Sequence, residues 1–200
     1  MNFLKRTYNW TLEKAQHKNA KWYLSLISFA ESSFFPIPPD ILLIPMALSS
    51  KAKALFYAFI CTLFSVLGGI LGYAIGYFFY NSVGIYIVEF YHLENSFSIF
   101  ESYYKEFGIL IVLGAGITPF PYKFITIASG VFGLNIFLFI IVSIIGRGLR
   151  FYLIAILLYF FGEKIRLIID RYFNVLTVMF FILLIGSVFI IRYLLSLIHI

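Results

Sequence analysis

Glu31 and Asp40 flank a proline cluster inside an otherwise apolar stretch, Phe29-Ala-Glu31-Ser-Ser-Phe-Phe-Pro36-Ile-Pro38-Pro39-Asp40-Ile-Leu-Leu-Ile-Pro45. A carboxylate is expensive in hydrocarbon, so an apolar segment that keeps two of them marks a site for ion pairing or proton exchange. Three bases lie equally deep in apolar stretches: Lys123, Arg147 and Arg150. Arg147 and Arg150 are three apart and so share one face of a helix. Two acids and three bases give a cavity of net charge +1 if all are ionised, which suits an anionic headgroup and leaves the acids to exchange protons. A purely architectural role is the alternative for each. Buried ions can pair and hold one segment to another, and a lysine near a tip can snorkel to the interface.

The elements that must position these residues belong to a membrane protein. The 200-residue chain is 62% hydrophobic and 12% charged, against roughly 25% charged residues in soluble domains. The +6 balance does not call for nucleic acid, because the basic residues cluster at the ends of apolar spans, as positive-inside topology requires. Residues 1–21 are polar and basic and carry no signal peptide pattern. They read as a cytoplasmic or interfacial amphipathic helix, with Phe3, Leu4, Tyr8, Trp10 and Leu12 as membrane contacts.

Five apolar stretches follow. A spanning helix needs about 20 apolar residues. Residues 54–80, 134–161 and 172–198 meet that length. Residues 22–50 and 107–133 are instead broken, by Pro36, Pro38 and Pro39 in the first and by Pro119 and Pro121 in the second. Proline removes a donor and restrains the residue before it, so neither stretch can be one continuous helix. Each arm of 11–14 residues reaches only about 16–21 Å and must turn back. Both stretches therefore read as re-entrant helical hairpins with proline tips.

Charges orient the chain. Lys5, Arg6, Lys14, Lys18 and Lys21 place the N-terminus inside, and Lys51 and Lys53 return the first hairpin there. Glu89, Glu94, Glu101 and Glu106 suit the outside, and Lys164, Arg166 and Arg171 bring the chain back in. Arg192, near the outer end, is a mild misfit. Residues 35–38 resemble residues 118–121 at an offset of 83, and Gly68, Leu71 and Gly84 match Gly146, Leu149 and Gly162 at an offset of 78. Hairpin followed by spanning helix occurs twice, once from each side. This inverted repeat is common in secondary transporters, whose sites form where the broken elements meet. The offset of 83 sets Lys123 opposite Asp40. The fold expected is an all-α polytopic membrane protein: two re-entrant helical hairpins with inverted-repeat symmetry, three spanning helices and an N-terminal amphipathic helix.

Gly68, Gly72 and Gly76 recur every four residues, a small-xxx-small pattern read as helix packing against the hairpins. Ser32, Ser33, Thr118 and Ser129 are placed to satisfy backbone near the tips, with substrate contact the alternative. Enzymatic signatures are missing. His17, His92 and His199 lie outside the apolar stretches or at the terminus, the lone Cys61 can form no internal disulfide, and there is no zinc-binding or phosphate-loop motif. Neither catalysis, nor a metal, nor a cofactor is expected.

The run from Glu31 to Asp40 resembles the acid–proline–acid pattern of the DedA family, also called the VTT or SNARE-associated domain family. Gly146-Arg147-Gly148-Leu149-Arg150-Phe151 is similar to that family's glycine–arginine helix motif, in the form of its YqaA-like branch. With Thr118-Pro-Phe-Pro121 through Gly130, the resemblance covers roughly residues 22–162. It implies two facing re-entrant hairpins and the flipping of undecaprenyl phosphate or phosphatidylethanolamine, dependent on proton-motive force. Eukaryotic relatives resemble phospholipid scramblases. Carried over by position, Glu31 and Asp40 are the hairpin acids and Arg147 and Arg150 the paired arginines. Two departures stand out. Pro39 replaces the family's glycine before the second acid, and Lys123 stands near the second tip, where many bacterial members carry arginines. Lysine offers a point charge in place of a bidentate fork.

The expectation is a multi-pass protein of the bacterial inner membrane with a cytoplasmic N-terminus. It would move an anionic phospholipid or polyprenyl phosphate with proton coupling, its partners being membrane lipids and protons. Association of copies is compatible with this reading. A small-ion or proton antiporter and a non-transporting scaffold for membrane assembly or division are the alternatives.

Overall fold

A computed structural model describes residues 19–34, 38–92, 94–118, 120–162 and 164. The N-terminal helix expected over residues 1–21 lies almost wholly outside the described residues. So do Pro36, Pro119 and the C-terminal span expected over 172–198. Every regular element among the described residues is helical.

Helix α1 (Ala20–Ser33) leads through the first proline cluster to α2 (Asp40–Ser49). Pro39 supplies the N-cap with φ −66°, and Asp40 is the first helical residue. A fixed φ and a carboxylate both favour a helix start there. A short 3-10 turn, Lys51–Lys53, precedes α3 (Ala54–Phe79), which runs on through a π-helical turn at Tyr80–Gly84 into α4 (Ile85–Phe90). Helix α5 (Glu94–Ile117) ends at the second proline-containing turn, and α6 (Tyr122–Val131) starts after Pro121. Gly133, at φ +63°, closes α6, with Leu134 N–H donating to the Ser129 carbonyl at 2.9 Å. This left-handed cap turns the chain directly into the next helix. That helix, α7 (Ile136–Gly162), is capped by Asn135 Oδ1, which accepts from Phe137 N–H at 3.0 Å.

Among the described residues, two helices are long and apolar enough to cross a membrane, Lys51–Gly84 and Ile136–Gly162. Helix α1 has 14 residues and α2 and α6 have 10 each, so they reach only about 21 and 15 Å. Helix α5 differs from the sequence expectation. Hydropathy marks its apolar part from residue 107, yet the helix begins at Glu94. Backbone hydrogen bonding continues through polar residues, so hydropathy locates only the apolar part of the helix.

Two helices bury small and polar residues beside apolar ones and leave large apolar side chains exposed. On α1 the buried residues include Ser25, Ser28, Glu31, Ser32 and Ser33, while Trp22, Tyr23 and Leu26 are exposed. Helix α3 buries Thr62, Ser65, Gly68, Gly72 and Gly76 and exposes Phe56, Phe59, Leu63 and Phe78. The small face of α3 is in contact with both α1 and α6. A Cβ on Gly68 would overlap the Phe29 carbonyl, and one on Gly76 the Ile127 carbonyl. At Gly72 it would meet the Thr126 hydroxyl. Small residues here let backbones touch. Two apolar clusters result, one around Leu43, Met46, Cys61 and Phe151, the other around Val112, Tyr122 and Phe139.

Candidate functional site

The acids on the first broken segment each meet one arginine of α7. Glu31 sits two residues before the end of α1, on its buried face. Arg147 Nη2 donates to Glu31 Oε2 at 2.6 Å. The Arg147 Nε–H donates to Ser65 Oγ at 2.6 Å, and Ser65 lies 2.6 Å from Ser32 Oγ. Ser32 Oγ in turn lies 3.1 Å from Glu31 Oε2. The donors can be ordered. A carboxylate only accepts, so Ser32 donates to Glu31; the single proton of Ser65 then goes to Ser32. Arg147, Ser65, Ser32 and Glu31 thus form a closed ring of hydrogen bonds.

Aromatic rings complete the enclosure. The Arg147 guanidinium carbon is 5.0 Å from the Tyr122 ring centroid and 4.6 Å from that of Phe151. Tyr122 and Phe151 belong to the two different apolar clusters, so Arg147 occupies the seam between them. It is only 1% exposed. Tyr122 itself is fixed by a 2.6 Å hydrogen bond to Ser143 Oγ, one turn before Arg147. Cation–π contact compensates a desolvated guanidinium where further acceptors are scarce.

One turn along α7, Arg150 Nη2 pairs with Asp40 Oδ2. Arg150 Nη1 also donates to the Thr118 carbonyl at 2.5 Å. Arg150 therefore touches the start of α2 and the end of α5, the two segments that carry the prolines. Pro39 is buried here and Pro38 is partly buried, while Pro121 is exposed. Thr126 Oγ1 reaches both the Ser32 and Lys123 carbonyls at 2.9 Å, which ties α6 to the end of α1.

The structure brings together four of the five ionisable residues singled out in the sequence. Lys123 is the exception. It is half-buried, its Nζ lies 5.4 Å from the Phe124 ring, and it joins no ion pair among the described residues. The first turn of α6 points Tyr122 inward, and one residue later the helix has turned by about 100°. Ser65, Tyr122, Ser143 and Phe151 are site residues that sequence reasoning did not identify. Ser65 did leave a trace, as a hydroxyl three residues before Gly68 on the small face of α3.

Chemically, the site holds two carboxylates against two guanidiniums beside proline-broken backbone. Guanidinium recognises carboxylate and phosphate by the same planar fork.

No protein-family profile matches the chain, and neither does any solved structure. An uncharacterized protein of Haemophilus influenzae is 40% identical to it over 157 residues, which are 78% of this chain and 81% of that protein. An uncharacterized protein of Histophilus somni is 35% identical over 157 residues, 78% of this chain and 82% of its own length. The chain belongs to the family of these two proteins.

Proposed function

We propose that this protein is a lipid transporter of the bacterial inner membrane, which moves an anionic lipid phosphate between leaflets with proton coupling. The observation that carries the reading is the matched pairing of Glu31 with Arg147 and Asp40 with Arg150. Both arginines stand on a helix long and apolar enough to span the bilayer. Ions kept at such depth are costly, and exchange of a carboxylate for a phosphate gives them work. When the site is empty, the acids hold the arginines. When phosphate arrives, an acid is released and can take a proton.

The membrane setting is supported by the faces of α1 and α3, which turn hydroxyls and glycines inward and aromatic residues outward. Helices α1, α2 and α6 are too short to cross, so we read residues 22–50 and 107–133 as re-entrant hairpins. Inverted symmetry is supported by one repeated contact. A Cβ on Gly68 would meet the Phe29 carbonyl, and one on Gly146 the Leu113 carbonyl. Ser65 and Ser143, again 78 apart, both hydrogen-bond at the site. The resemblance to the DedA family points the same way, and its YqaA-like branch is our proposed assignment. The N-terminus would be cytoplasmic. Neither a cofactor nor covalent chemistry is part of this mechanism.

The test is reconstitution in liposomes with a fluorescent anionic phospholipid and a headgroup quencher. Translocation should exceed that of protein-free vesicles and fall to their level for the Arg147→Ala, Arg150→Ala double variant. Wild-type rates from a folded double variant would refute the proposal.

A further inference from the structure

The two arginine–carboxylate pairs differ in the exposure of the guanidinium and in what its Nε–H meets. Arg147 is 1% exposed, is held between two aromatic rings, and belongs to the closed ring with Ser65, Ser32 and Glu31. The Glu31 side chain is 11% exposed. At the second pair the Arg150 and Asp40 side chains are 15% and 18% exposed. Asp40 Oδ1 and Arg150 Nε are buried atoms without a hydrogen-bond partner among the described residues. Buried polar atoms of charged groups are seldom left so, because each unsatisfied atom costs stability. In both pairs one nitrogen meets one oxygen, but the Arg147 Nε–H is taken by Ser65, whereas the Arg150 Nε–H is left to complete a fork.

We propose that the two pairs divide the labour: Arg150 is the exchangeable anion-binding residue and the clasp between the two broken segments, while Arg147 with Glu31 is a fixed strut that positions α7. This rests on the lipid-phosphate reading above. A phosphate group offers adjacent oxygens to Nη2 and to the vacant Nε together, which Asp40 does not do here. Its entry displaces Asp40 from Nη2 and leaves Nη1 on the Thr118 carbonyl. The contact joining α2 to α5 through one guanidinium is then broken, and the two segments can separate. Glu31 keeps its hold on Arg147 throughout.

Calorimetric titration of the purified full chain in maltoside micelles tests this, with dodecyl phosphate and inorganic phosphate as separate probes. Wild type should bind dodecyl phosphate. Asp40→Asn removes the competing charge and should tighten binding by about tenfold, the scale of one modest charge-assisted contact. Arg150→Gln should abolish binding. Glu31→Gln should lower the unfolding midpoint without tightening. Equal tightening by Glu31→Gln and Asp40→Asn would overturn the division of labour and leave the lipid-phosphate reading standing. No binding of dodecyl phosphate by wild type and Asp40→Asn alike would overturn both. Inorganic phosphate bound as tightly as dodecyl phosphate would keep Arg150 as the anion site and refute a lipid source. Should Arg150→Gln not fold, the Asp40→Asn comparison decides alone, and an unchanged affinity there refutes the exchange.

Discussion

Arg147 Nη2 and Glu31 Oε2 are 2.6 Å apart although 116 residues separate them, and α1 and α7 are joined through this pair at the seam of both apolar clusters. A buried pair of this kind contributes little over two well-packed apolar residues, yet removing one partner strands a charge. Arg147→Ala should therefore cost about 3–5 kcal/mol. The joint replacement Glu31→Leu, Arg147→Met should recover most of that loss. Thermal or denaturant unfolding of the three proteins in micelles provides the comparison. A double variant as unstable as the single would mean that the pair itself, and not the stranded charge, holds the helices together.

Tyr122 does two separable things. Its ring faces the Arg147 guanidinium and its hydroxyl bonds Ser143. Tyr122→Phe keeps the ring and should cost only about 1 kcal/mol, the net worth of one hydrogen bond. Tyr122→Ala also opens a cavity beside a desolvated cation and should cost about 3–5 kcal/mol. Near-equal losses in unfolding measurements would assign the whole effect to the Tyr122–Ser143 bond.

Ser65 links the guanidinium of Arg147 to the hydroxyl of Ser32. Ser65→Ala leaves the Arg147 Nε–H without an acceptor in a closed site, at a cost of about 1–3 kcal/mol. Ser65→Cys, with a weaker and longer acceptor, should fall between alanine and wild type. Unfolding midpoints in the order Ser, Cys, Ala would place the loss in the hydrogen bond. A cysteine variant below alanine would place it in packing.

How far the site could be read from sequence follows from the same energetics. Glu31, Asp40, Arg147 and Arg150 were legible because a charge in an apolar stretch is conspicuous and must find a partner. Which acid meets which arginine was not, because that depends on how α7 crosses α1. The prolines located both chain breaks. Ser65, Ser143 and Tyr122 stayed hidden because serines and tyrosines are ordinary in apolar helices, and only contact distinguishes the few that serve the site. Lys123 was matched to Asp40 by an offset of 83, but repeat arithmetic fixes position along a helix and not its rotation. One residue of phase separates the buried Tyr122 from the half-buried Lys123. The polar start of α5 was equally invisible to hydropathy, which measures transfer from water and not helix formation.

The glycines of α3 allow a final prediction with its own internal control. Gly68 and Gly76 have backbone carbonyls of neighbouring helices where a Cβ would go, whereas Gly114 has nothing within 4 Å of that position. Alanine at 68 or 76 must push α3 away from α1 or α6, because a carbonyl in a packed helix cannot rotate aside. Overpacking of this kind costs about 1–3 kcal/mol. Alanine at 114 meets no obstacle and should be neutral, or stabilising by up to about 1 kcal/mol through helix propensity. The displaced helices differ, so the functional effects should differ too. Gly68→Ala shifts α1, which carries Glu31 and Ser32, and Gly76→Ala shifts α6, which carries Tyr122. Both changes should loosen the enclosure of Arg147 and lower the unfolding midpoint, with Gly114→Ala equal to wild type or above it. A midpoint for Gly68→Ala matching that of Gly114→Ala would show that α1 and α3 do not touch backbone to backbone, and the seam that holds Arg147 would have to be redrawn.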